Sequence, residues 1–218
     1  MDIWSIWLDM IRSILMALSS DAGLGLGLAI IVATVLLRVA LLPLAWPVAY
    51  RGCIRQKKML KLQPKLKLLK ERYIENPDVY IQKMMELYRK YDLTIVDVKS
   101  LIGAFVQLPI FLGMFQVLRS AGEGVRFLWV SDLLRSDVLF AFIAGVTTAL
   151  MMAVNPEMPE QIRMFMIILP SVLAIIAAFQ FSSALAIYWA TSNVFSAAQT
   201  VLLHVIVRHR INSDAIRI

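Results

Sequence analysis

The chain has 218 residues, is 60% hydrophobic and carries a formal net charge of +7. Soluble domains run at about 45–50% apolar residues, so the composition excludes an ordinary soluble enzyme and describes a chain that crosses a membrane several times. The single cysteine, Cys53, excludes an internal disulfide and any cysteine-built metal cluster.

Residues 1–20 come first, as an amphipathic helix. Ile3, Trp4, Trp7, Leu8, Ile11, Ile14, Leu15 and Leu18 recur at helical spacing. The run is too short to span. It reads as a helix lying in the membrane interface, anchored by Trp4 and Trp7, or equally as an ordinary helix packed on the bundle. Asp2, Asp9 and Arg12 argue against a signal peptide, which needs a basic start followed by an apolar core.

Residues 21–50 hold the first transmembrane helix, roughly Leu24–Trp46, ending in a Pro43/Pro47 region. Arg38 is the only formal charge between Gly23 and Tyr50, a stretch long enough to cross the ~30 Å hydrocarbon core. A charge near the middle of such a helix costs roughly 2.5–3.5 kcal/mol. A chain carries that cost where the arginine faces protein or a wet cavity.

Residues 51–99 are polar and hold thirteen Lys/Arg against six Asp/Glu. Two helices joined at Asn76-Pro77-Asp78 make a basic cytoplasmic hairpin, because Asn76 suits an N-cap and Pro77 the first helical position. Its lysines, among them Lys57, Lys58, Lys61, Lys65 and Lys67, suit anionic lipid, RNA or an acidic polypeptide as a recruitment surface. The plainer reading is a topology signal alone.

Residues 100–207 supply four more spans, with apolar runs at Leu101–Leu118, Val138–Val154, Ile162–Phe179 and Ala184–Val207. A turn with Pro156 and Pro159 joins the middle pair, and 208–218 form a short cytoplasmic tail. The fold class is therefore an all-α polytopic membrane protein: a five-helix bundle with a cytoplasmic hairpin and an N-terminal amphipathic helix. Arg51–Lys99, the 155–163 turn and the tail carry 17 of the 22 lysines and arginines. Positive residues stay inside, which places the N-terminus outside and the C-terminus in the cytoplasm.

The spans contain few polar groups. Thr34 lies one turn from Arg38, and Gln107 precedes Pro109 by two residues. In the last span Tyr188 and Ser192 fall on one stripe and Trp189 and Asn193 on another. Such groups can be interhelical glue. Arg38 differs, because no span holds a carboxylate to neutralise it. A hydrated concavity lined by Arg38, Gln107 and part of the last span satisfies the guanidinium. There is no intramembrane acid for a proton relay, no HExxH and no phosphate-binding glycine loop. The sequence therefore indicates no catalytic residue, cofactor or metal.

LLRVALLPL at 36–44 and MLKLQPKLKLLKERYIENPDVYIQKMMELYRKY at 59–91 resemble the YidC-type membrane protein insertases, with their mitochondrial and chloroplast relatives. FVQLPIFLGMF at 105–115 and IYWATSNVFSAAQ at 187–199 are similar to that family's later segments. The resemblance implies a hydrophilic groove open to cytoplasm and lipid, with Arg38 as its arginine, Gln107 as the QxPIF glutamine, and Tyr188/Trp189 as the aromatic pair. It implies as partners nascent membrane proteins delivered by ribosomes, sometimes with the Sec translocon, in a bacterial plasma membrane. No specific DNA partner is implied, and a monomer suffices. The chain departs from the pattern at Asp92–Lys99, at Ser182-Ser183-Ala184 where a Pro/Gly pair is common, and in its short tail.

The expected mechanism is partition of a polar client segment into the groove, attracted by Arg38 and driven by burial of the client's apolar helix. Two rivals stand beside it: a small-solute or anion transporter using Arg38 as counter-ion, and a non-transporting assembly subunit.

Overall fold

The computed structural model describes residues 2–91, 93, 98–119, 123–154 and 160–215, with side chains described for these except 56, 98–107, 160–162 and 208–215. The departure at Asp92–Lys99 and the 155–159 turn fall largely outside them. Among the described residues seven α-helices follow one another: α1 (Ile3–Met16), α2 (Gly25–Arg72), α3 (Pro77–Lys90), α4 (Val98–Leu118), α5 (Val138–Ala153), α6 (Glu160–Gln180) and α7 (Ser183–Ala215). A π-helical turn, Ala17–Asp21, extends α1. Among the described residues there is no strand, only an isolated bridge between Phe127 and Val130. α2 is one helix of 48 residues that continues through Pro43 and Pro47, so the change near Trp46 is one of composition and not a helix end.

Four helical segments are long and apolar enough to cross a membrane among the described residues: Ile3–Asp21, Gly25–Arg72, Arg163–Gln180 and Ser183–Val207. Leu108–Leu118 and Val138–Ala153 are shorter apolar helices. Large apolar side chains stand exposed along them, including Val39, Phe142, Val146, Phe165, Leu173 and Val201. Water would penalise so continuous an apolar surface, and a lipid solvent would not.

The chain divides into two compact units. One comprises Met1–Pro43 and Phe105–Leu202. Its core joins Ile11 and Leu15 of α1, Ile30 and Leu37 of α2, Met114 and Leu118 of α4, Phe140 of α5, and Leu185–Tyr188 of α7. α1 is thus packed on the bundle through Ile11 and Leu15. The Trp4 and Trp7 indole N–H groups donate to Gln116 Oε1 at 3.1 Å and the Pro109 carbonyl at 3.0 Å. Gly113 makes room for this, since a Cβ there would meet the Trp7 indole and Ile11. α5 and α6 approach closely because Gly145 leaves space for the Ile175 side chain.

Between α4 and α5, Asp137 caps α5 by accepting from the Phe140 N–H at 3.0 Å. The start of α7 is tied to the same loop. The Ser183 backbone N–H and hydroxyl both donate to the Arg135 carbonyl, at 2.9 and 2.6 Å, and the Ala184 N–H donates to the Leu133 carbonyl at 3.1 Å. Ser183 and Ala184 are fully buried. Ser183 and Ala184, two of the three residues standing where a Pro/Gly pair is common, therefore supply a hydroxyl and a small side chain that this seam uses.

The other unit comprises Leu44–Ala104 and Leu203–Ile218, with Cys53, Leu62, Leu93, Leu203 and Val207 buried. Asn76 is the N-cap of α3 and Pro77 opens the helix, as their residue types suggest, though the Asn76 side chain makes no capping bond. Lys65 Nζ donates to the Tyr91 hydroxyl at 2.6 Å and lies 5.0 Å from the ring centroid.

Candidate functional site

The packing of α2 against α7 brings Arg38 to the Ser192 stripe. The Arg38 Nη2 donates to Ser192 Oγ, a neutral acceptor for a full charge. Arg38 Nε is buried and has no hydrogen-bond partner among the described residues, and no carboxylate among them pairs with Arg38. Tyr188, one turn before Ser192, is fully buried. Arg38, Ser192 and Tyr188 thus form one group between α2 and α7.

The remaining candidates are distributed differently. The Thr34 hydroxyl is buried and donates to the Ile30 carbonyl at 2.6 Å, so its own helix satisfies it. Asn193 Nδ2 donates to Thr148 Oγ1 of α5 at 2.8 Å, and Thr148 in turn donates to the Ala144 carbonyl. That chain is the interhelical glue reading of an intramembrane amide. Trp189 is half-buried, edge-on to Phe111 with centroids 6.0 Å apart. Gln107 lies in α4, and its side chain is outside the described residues. In the second unit Lys57 is half-buried, while Lys58, Lys61, Lys65 and Lys67 are exposed.

Sequence reasoning missed an aromatic row. The Phe111 ring meets Tyr188 at 6.3 Å and Phe115 at 6.3 Å, and Phe115 meets Phe181 edge-on at 5.7 Å. The i, i+4 pair Phe111/Phe115 was the available signal, but in an apolar span such a pair is indistinguishable from a lipid-facing one. An apolar cleft of about 560 Å³ was also hidden. It lies between α2, α5 and α7, with Ile31, Val35, Ile143, Thr191 and Val194 on its walls.

Apolar helices of membrane length around one guanidinium and a line of hydroxyls define a polytopic membrane protein with a polar site inside its helices. Residues 17–210 match the model of the 60Kd inner membrane protein family. The membrane protein insertase YidC of Clostridium tetani is 30% identical over 198 residues, covering 87% of this chain and 86% of that protein. The membrane protein insertase MisCA of Bacillus subtilis is 34% identical over 192 residues, covering 81% and 69%. YidC of Cellvibrio japonicus is 35% identical over 184 residues, but there the match covers only 32% of the longer protein. In fold, the chain is similar to the crystal structure of an active YidC insertase with its first transmembrane domain resolved. The TM-score is 0.64 at 23% identity, over 90% of this chain and 45% of that one. The chain belongs to the 60Kd inner membrane protein family, the YidC-type membrane protein insertases. It is a multi-pass inner membrane protein.

Proposed function

We propose that this protein inserts nascent membrane proteins by offering their polar segments a cationic site inside the membrane. Arg38 is that site. Among the described residues its charge meets a neutral hydroxyl and no carboxylate, and its buried Nε has no hydrogen-bond partner. This uncompensated guanidinium carries the reading, because in a low-dielectric setting it attracts an acidic or polar segment more strongly than water would allow. Gln107, Tyr188 and Trp189 complete the lining, while Thr34 and Asn193 hold the helices that carry it. Five spans, with the N-terminus outside and α1 packed at the outer interface, agree with the distribution of basic residues.

The client's apolar helix moves into lipid along the flank of α2 and α7, where the apolar cleft lies. Its burial supplies the driving force at about 25 cal/mol per Å², so no nucleotide is consumed. The lysines of the basic hairpin recruit the client, delivered by a ribosome or beside the Sec translocon. The test is complementation of an insertase-depleted strain with Arg38→Ala, Arg38→Lys and Arg38→Glu. Lysine should largely restore insertion of acidic-tailed clients and glutamate should not. Full activity of Arg38→Ala on every client overturns the role.

A further inference from the structure

A second cavity lies in the same unit, at the end of α4 opposite Val98. Its volume is about 380 Å³, and Phe115, Arg119, Gln180, Phe181 and Ser182 are among its walls. Arg119 and Gln180 are exposed there. No carboxylate among the described residues pairs with Arg119. Two of the loop's acids are engaged with other groups: Asp132 with the Gly124 and Leu134 N–H groups, and Asp137 with the Phe140 N–H and the Trp129 indole. The inner wall is the Phe115–Phe181 pair, the last step of the aromatic row that starts at Tyr188 and Trp189 beside the Arg38 site. Rings 5.7–6.3 Å apart are in contact.

From this continuity we infer that the cavity is an outer receiving site, in which Arg119, Gln180 and Ser182 bind the carboxylate-bearing segment of a client after it passes the aromatic row. The inference rests on the insertase reading and on the outward orientation of this end of α4. Arg38 captures the acidic segment on the near side. The rings separate it from the outside. Arg119 offers the same charge on the far side, so the segment exchanges one guanidinium for another and need not leave directly into water. A lipid phosphate shares this anion chemistry, but a phosphate site does not need the contact with the aromatic row.

The test uses the full chain in vesicles of zwitterionic phosphatidylcholine, and in a second set that also contains anionic phosphatidylglycerol. Two single-span clients are compared, one with an acidic outer segment and a twin with an uncharged one. Arg119→Gln should lower insertion of the acidic client about fivefold, the size of a partly exposed charge pair, and leave the twin unchanged. Insertion of the twin also shows that the variant folds. Arg119→Lys should restore the acidic client. Arg119→Glu should reverse the preference toward a client bearing lysines in that segment. Equal insertion of both clients by Arg119→Gln and wild type overturns the receiving site while leaving the insertase reading intact. A loss seen only with anionic lipid, and equal for both clients, assigns the cavity to a lipid phosphate and also overturns it. Failure of the wild type to insert either client overturns both readings.

Discussion

Arg38 of α2 donates to Ser192 Oγ of α7, so the one charge inside the first span meets a neutral hydroxyl. An ion pair there would neutralise the arginine and remove its attraction for a client. A hydroxyl orients the guanidinium and leaves its charge in place. Ser192→Ala should therefore weaken insertion of an acidic-tailed client less than Arg38→Ala does, measured side by side in reconstituted vesicles. Equal losses would make the pair, and not the charge, the functional unit.

Asn193 and Thr148 join α7 to α5 through a 2.8 Å hydrogen bond. Their double-mutant cycle, with Asn193→Ala and Thr148→Ala, should show a coupling of about 0.6–1.7 kcal/mol, the range for interhelical hydrogen bonds in membranes. Unfolding in mixed micelles measures it. A coupling near zero would remove Asn193 from the scaffold and return it to the lining of the polar site.

The Trp7 indole donates to the Pro109 carbonyl, and Gly113 leaves space for it. Trp7→Phe should destabilise the docked α1 by about 0.5–1.5 kcal/mol, the net value of one hydrogen bond. Gly113→Val should cost about 1–3 kcal/mol through overpacking. Accessibility of a cysteine placed at Ile11, which is fully buried, would report both. An unchanged accessibility in Gly113→Val would show that α1 does not depend on this contact.

In the basic hairpin, the hydrogen bond from Lys65 lowers the Tyr91 pKa from its ordinary value. A depressed folded value contributes its stability in full above the unfolded pKa, near 10, and the contribution disappears as pH falls through the folded value. The Lys65–Tyr91 titration should thus leave stability unchanged at neutral pH and act only in the alkaline range. The hydrogen bond with Glu86 raises the pKa of Lys83, so that contribution is present below the ordinary lysine value and is lost as pH rises through the raised one. Ring-labelled NMR titration of Tyr91 should show its pKa return upward in Lys65→Met. An unaltered titration would exclude the bond in solution.

Much of the fold was legible in residue order. Arg38 stood out as the one charge in an apolar run, and in the fold it bonds to Ser192 of α7, while the Asn76-Pro77 pair located the start of α3. Ser192 was visible as part of a stripe, but its pairing with Arg38 was not, because that depends on how α2 and α7 rotate against one another. Thr34 and Asn193 share the polar character of the site yet are used by the helices themselves, and composition does not separate those uses. Phe115 and Phe181 were invisible for a related reason: an aromatic in an apolar span carries no mark of whether it faces lipid or another ring. Continuity of α2 beyond Trp46 was hidden by Pro43 and Pro47, which read locally as an end although the helix runs through both.

The most direct measurement is site-specific photocrosslinking from Trp189, half-buried one turn before Asn193 and beside Phe111. Full-length protein would be combined with ribosome-stalled clients of increasing length. Transient adducts to several different clients, appearing as each polar segment emerges and weakening in Arg38→Ala, are the expected result. One stable adduct to a single partner at every length, or adducts indifferent to Arg38, would contradict it.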